Sequence, residues 1–147
     1  DVSTTNFSTF VSGYNGLALT DTDFAVTGLT AGTSYQYRIR ALNASGTSVN
    51  SSTVSTITIC APPVANAATA ITSSSFVANW TAATGASDYR IDVSTDPSFS
   101  FIVGSYNNQT VAGTSLGVTG LNAGTSYYYR VRASNASGSS VNSSPIS

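Results

Sequence analysis

The residues predict an all-β chain of tandem β-sandwich modules, the first of them incomplete. Three observations point there. The first is composition. Charged residues are only 7% of the 147 positions, against about 25% in an ordinary soluble domain. Lys, Glu, His and Met are absent, while Ser and Thr together fill 47 positions. The helix formers Lys, Glu and Met are therefore missing and Gln nearly so. Thr, Val, Tyr, Phe and Ile suit pleated strands, and Ser, Asn and Gly suit turns. The second observation is apolar/polar alternation in short segments. The third is a repeat: residues 26–55 and 118–147 agree at 23 of 30 positions without a gap.

The repeat extends upstream. "DVST" at 1–4 returns at 92–95, and "FVSGYN" at 10–15 resembles "FIVGSYN" at 101–107, a period of about 92 residues. That exceeds the 20–50 residues of solenoid repeats and suits a whole sandwich domain of about 100 residues. The second copy, residues 61–147, has an upstream half. The first, residues 1–60, opens at its own "DVST" and holds about the last two-thirds of a module. A half-module would leave its inner face wet. Two explanations stand: the chain is a section of a longer array, or another molecule supplies the missing strands. The opening "DVSTTNF" has neither an initiator Met nor a signal peptide, which reads as a mature fragment or a window on a longer chain.

The strands of the second copy follow in order. Residues 75–81 put Phe76, Ala78 and Trp80 on one side. Residues 88–94 put Tyr89, Ile91 and Val93 inward and Asp88, Arg90 and Asp92 outward. Short strands are expected near 101–106, 110–112 and 115–119. Residues 127–133 turn Tyr127, Tyr129, Val131 and Ala133 inward and Tyr128, Arg130 and Arg132 outward. In the first copy Tyr35 and Tyr37 take the inward places. A last strand near 139–146 carries Pro145, which fits an edge because Pro cannot donate to a ladder. Seven short strands of this kind make a sandwich.

The run "VTGLNAGTSYYYRVRASNASGSSVNSS" resembles the E–F corner and F strand of a fibronectin type III domain. In that family a Leu precedes a Gly-Thr turn, and six residues on a Tyr bonds back to the corner backbone. The matching positions are Leu121 and Tyr127, and again Leu29 and Tyr35. The family's strand-B Trp corresponds to Trp80. The resemblance covers essentially the whole chain and implies immunoglobulin-like sandwiches. The Ser/Thr/Asn-rich flavour is similar to modules of exported Bacteroidetes-like surface proteins.

Composition also excludes functions. A net charge of −1 offers no basic footprint for nucleic acid. No apolar run approaches the roughly 18 residues of a membrane helix. One cysteine, Cys60, cannot form a disulfide framework. With no His, Lys or Glu, general bases and paired nucleophiles are scarce, and no cleft gathers the Asp residues. No catalytic residue, metal ligand set or cofactor is assigned.

Several residues remain candidates for binding. Arg130 and Arg132, with Arg38 and Arg40, would contact an anion or glycan, or else pair across strands with Asp88 and Asp92 as exposed ion pairs of about 0.2–1 kcal/mol. Tyr128 and Tyr106 would form an exposed platform for a sugar. Asp21 and Asp23, with Asp96 as analogue, would serve calcium only with further oxygens; otherwise they are turn residues. Cys60 is either a buried hydrophobe or an intermolecular cross-link. Seven N-x-S/T sequons begin at Asn6, Asn43, Asn50, Asn79, Asn108, Asn135 and Asn142, against roughly three or four by chance in so Ser/Thr-rich a chain. The expected role is a stalk, adhesin or filament subunit outside the cell. Its partners would be neighbouring modules, further copies of itself, or a glycan or surface ligand. The "CAPPV" junction would restrict bending, since Pro62 and Pro63 fix φ. The alternative is an accessory or glycan-binding module on a secreted enzyme.

Overall fold

A computed structural model describes all residues, 1–147. The chain is all-β and divides into two compact units, Asp1–Thr58 and Ile59–Ser147. The division falls two residues ahead of the one read from the repeat, because Cys60 joins the core of the second unit and Ile59 lies against Gly138.

The first unit has one three-stranded sheet and one small hairpin. Strands β1 (Val2–Ser3), β2 (Ser34–Tyr37), β3 (Leu42–Asn43), β4 (Gly46–Thr47) and β5 (Val54–Ile57) make it up. β1, β2 and β5 pair in that order, and β3 pairs with β4. No second sheet closes over this face. Val2 and Tyr35 are buried, but Tyr37 is 42% exposed. The expectation that Tyr37 is core is therefore corrected: alternation turned it to the same face as Tyr35, but no second sheet in this unit closes over that end of β2.

The second unit is a full sandwich. One sheet holds β6 (Ala65–Thr69), β7 (Ser75–Trp80) and β10 (Ser115–Thr119), with β7 central. The other holds β8 (Asp88–Ser94), β9 (Gln109–Val111), β11 (Tyr128–Asn135) and β12 (Gly138–Ser139), in the order β12-β11-β8-β9. All pairs are antiparallel. Phe76, Ala78, Trp80 and Val118 from the first sheet meet Tyr89, Ile91, Val93, Tyr129, Val131 and Ala133 from the second. These two inner faces are the ones that alternation marks in the sequence.

Three elements differ from the sequence reading. Residues 101–106 form no strand; Ile102 makes only an isolated bridge to Ser94. Ser94 and Asp96 fold this stretch into a loop, each accepting or donating hydrogen bonds to Phe101. β6 was not foreseen, because "ANAAT" has no strong alternation. The last strand is two residues plus a bridge from Ile146 to Tyr129. Serine hydroxyls replace the rest of its ladder. Val131 N–H donates to Ser143 Oγ at 3.1 Å and Ala133 N–H to Ser140 Oγ at 3.0 Å. In return, Ser143 N–H donates to Val131 O and Ser140 N–H to Ala133 O. Ser51 and Ser48 make the same bonds to Ile39 and Ala41 in the first unit.

Candidate functional site

β8 and β11 place Arg130 directly opposite Asp92, both on the outer face. The Asp92 carboxylate accepts from Arg130 Nε at 2.9 Å and from Arg132 Nη1 at 3.0 Å. Its other oxygen accepts the Asn108 backbone N–H at 2.7 Å. Arg132 also donates to Asn142 Oδ1 and Asn108 Oδ1. The Arg130 guanidinium lies 4.1 Å above the Phe99 ring centre, a cation–π contact.

The exposed pairs expected from the sequence are corrected in two respects. Asp92 is only 2% exposed, because the two guanidiniums and the loop at Asn108 cover it. Asp88 faces neither Arg130 nor Arg132; it pairs with Arg90 on its own strand at 3.3 Å. Register puts Arg132 opposite Arg90, so like charges meet there and Arg132 leans towards Asp92. Burial pushes the Asp92 carboxyl up, but the hydrogen bonds from Arg130, Asn108 and Arg132 outweigh this and hold its pKa below the ordinary value.

The same site is built in the first unit. The Asp1 carboxylate meets Arg38 Nε at 3.0 Å and Arg40 Nη1 at 3.2 Å and accepts the Gly16 N–H at 2.7 Å. Arg38 lies 4.1 Å above the Phe7 ring centre, and Arg40 donates to Asn50 Oδ1. Phe7 and Phe99 were missed in the sequence. The signal was present: each is an aromatic in the loop that follows "DVST".

The corner tyrosines are also duplicated. Tyr127 Oη accepts the Asn122 N–H and Tyr35 Oη the Thr30 N–H, each at 2.9 Å. Leu121 packs against the core of its unit, and Leu29 is half-buried. Trp80 is 3% exposed and tilts onto Tyr89 with ring centres 5.7 Å apart. Tyr106 and Tyr128 do not share a surface. Tyr106 packs against the core, and its hydroxyl accepts the Thr119 N–H at 2.8 Å. Tyr128 is half-buried on the outward-facing positions of β11 beside Arg130. The platform expected of this pair is not assembled.

The remaining candidates sit in turns or in the core. Asp96 accepts hydrogen bonds from Ser98, Phe101 and Ser94, which hold its pKa at about 2. Asp21 and Asp23 are exposed in the long loop between β1 and β2. No three His, Cys, Asp or Glu residues gather as a metal site. Cys60 is a buried free thiol whose pKa burial pushes up. Of the sequon residues, Asn6, Asn43, Asn50 and Asn108 are exposed and Asn79, Asn135 and Asn142 are half-buried. The Asn79 amide donates to Ala67 O, Thr69 Oγ1 and Val77 O. No helix is long and apolar enough to cross a membrane.

Comparison with known proteins gives consistent matches. The fibronectin type III domain model matches residues 61–147. Chitinase A1 of Niallia circulans is 33% identical over 152 residues, covering 87% of this chain and 20% of that protein. The chain therefore spans about a fifth of that relative's length. A two-domain fibronectin type-III segment of chicken tenascin superposes with a TM-score of 0.55 at 25% identity, over 81% of this chain and 65% of that one.

Proposed function

Because the chain belongs to the fibronectin type III family, matched over residues 61–147, whose domains are generally non-catalytic modules, we propose that it is a structural and adhesive spacer. It would belong to a secreted or cell-surface protein. One observation carries this reading: the most conspicuous charged groups are spent on the fold itself, and identically in both units. Each aspartate at the head of "DVST" ties down two arginines. Each first arginine stacks on a loop phenylalanine. Residues used this way hold a module rigid and leave little charge free for a ligand. What remains outside carries few charges and many hydroxyl and amide groups, so it offers little electrostatic attraction to a charged partner. Neighbouring modules of the same polypeptide are its proposed partners, and filament formation would follow from end-to-end repetition.

The test is replacement. In the full-length protein on its own cells, this stretch is exchanged for unrelated β-sandwich modules of equal length. Surface display and adhesion are then measured. A spacer tolerates the exchange. Loss of adhesion with display intact would show that this surface itself binds.

The chitinase relative favours a second reading, an accessory module beside a secreted polysaccharide-degrading domain. The coding sequence on either side separates the two: further repeats support the spacer, and a hydrolase domain supports the accessory role.

A further inference from the structure

One loop is built twice around the aspartates of the two forks. Val2 N–H donates to Tyr14 O and Val93 N–H to Tyr106 O, each at 3.0 Å. Two residues on, Gly16 N–H donates to Asp1 Oδ1 and Asn108 N–H to Asp92 Oδ1, each at 2.7 Å. Both donors have left-handed backbone, with φ of 63° at Gly16 and 56° at Asn108. Gly adopts that conformation freely, and Asn more readily than most other residues. The second unit meets the need with Asn108, whose Oδ1 also accepts from Arg132. The first meets it with Gly16, where an added Cβ would lie 3.5 Å from Arg40 Nη2.

Gly16 makes the peptide bond after Asn15 chemically distinct. Of eleven Asn residues, Asn15 alone is followed by Gly; the other ten precede a residue with a Cβ. A glycine nitrogen is sterically unshielded, so it can approach the side-chain carbon of the preceding Asn. Asn15 and Gly16 are both exposed, and the Asn15 amide holds no hydrogen bond. Water and hydroxide therefore reach the atoms that would react. What opposes reaction is Asp1. The nitrogen that must lose its proton is the one that donates to the Asp1 carboxylate, and once deprotonated it would face that negative charge at 2.7 Å.

We propose that Asn15 is a self-modification site, converting through a cyclic imide to aspartate and isoaspartate, and that the Asp1 carboxylate restrains it. Hydroxide takes the Gly16 N–H proton. The nitrogen then bonds to Asn15 Cγ, the Cγ–Nδ2 bond breaks, and Nδ2 takes a proton from water and leaves as ammonia. A further water opens the imide at either carbonyl, and nothing is oxidised or reduced. The β-linked product lengthens the main chain by one carbon, which carries Gly16 N–H off Asp1. It also adds a negative charge next to Gly16, the residue that lies against Arg40. Conversion thus runs one way, towards a looser fork in the first unit alone. It stands apart from the spacer reading.

The experiment holds the 147-residue chain at mildly alkaline pH in heavy-oxygen water and maps isoaspartate and incorporated label by peptide mass spectrometry. Label should enter residue 15 ahead of the other ten Asn positions. Asp1→Ala should convert about tenfold faster or more, as expected when a hydrogen bond to a charged group is lost. Amide exchange along β2 reports whether the first unit is folded in each sample. Should Asp1→Ala melt β2, a pair of variants in the second unit decides. Asn108→Gly should create a new converting position at Asn107, and adding Asp92→Ala should speed it by a similar factor while Trp80 fluorescence stays native. Residue 15 converting no faster than the other Asn residues would overturn the proposal. So would equal rates with and without the aspartate in the folded variants, or a native chain that converts as fast as the same chain in urea.

Discussion

Removing the Asp92 carboxylate strands two guanidinium groups at once. Breaking a buried ion pair from one side costs about 3–5 kcal/mol. Here the arginine side chains keep 29% and 21% exposure, so solvent recovers part of the loss. Asp92→Ala should destabilise the second unit by about 2–3 kcal/mol, read as a lower urea midpoint of the Trp80 fluorescence transition. A change under about 0.5 kcal/mol would mean that the fork is ornamental. Charge, not shape, should dominate, so Asp92→Asn should recover little. The pH dependence has a definite sign. Asp92 and Asp96 both titrate below the ordinary 3.8, Asp96 at about 2. The unfolded chain therefore binds more protons than the folded one in this window, and stability rises with pH there. It should be level from neutral pH to about 5 and fall between pH 4 and 2. A decline already complete at pH 5 would point to another group. Cys60 is predicted to be silent: its raised pKa and burial should keep it unreactive to a thiol reagent until urea unfolds the second unit.

At the scale of elements, alternation made the inner strands legible. β7, β8 and β11 fall within two residues of the expected segments, because Phe76, Trp80, Ile91 and Val131 must alternate to be buried at all. Strands defined by polar chemistry were not legible. The final strand reads as continuous in "SSVNSSPIS", yet Ser140 and Ser143 turn side-chain oxygens to β11 in place of backbone carbonyls. Serine competes locally for backbone hydrogen bonds, and no periodicity reveals that in advance. The Arg–Asp fork was half legible for a similar reason. Strand pairing put Asp92 near Arg130, but its depth depends on Asn108 and Phe99, which arrive from a loop whose path the sequence does not declare. Ser143→Ala therefore carries a definite cost. It leaves the Val131 N–H without its acceptor inside the sheet, a loss of about 1–3 kcal/mol. Ser144→Ala, whose side chain holds no ladder bond, should cost less than about 0.5 kcal/mol. Equal urea midpoints for the two variants would show that the hydroxyl ladder carries no stability.

For the whole molecule, the question is whether two units of one repeat share one stability. The second buries aromatic and aliphatic side chains between two sheets. The first has a single three-stranded sheet and leaves Tyr37, Ile39 and Phe24 substantially exposed. Hydrophobic stabilisation scales with apolar area removed from water, about 25 cal/mol per Å², and a sheet with one wet inner face forgoes much of it. The two units are also separate clusters of contacts, so nothing obliges them to melt together. The sole tryptophan, Trp80, lies in the second unit and reports on it alone. Both units contribute to the far-ultraviolet circular dichroism of the backbone. On heating, dichroism should lose part of its amplitude while Trp80 fluorescence is still native, and the rest should go with the fluorescence. Asp92→Ala should move only the later step and Arg38→Ala only the earlier one. Coincident curves from the two probes would show a single cooperative molecule, and the first unit would then draw its stability from something other than its own sheet.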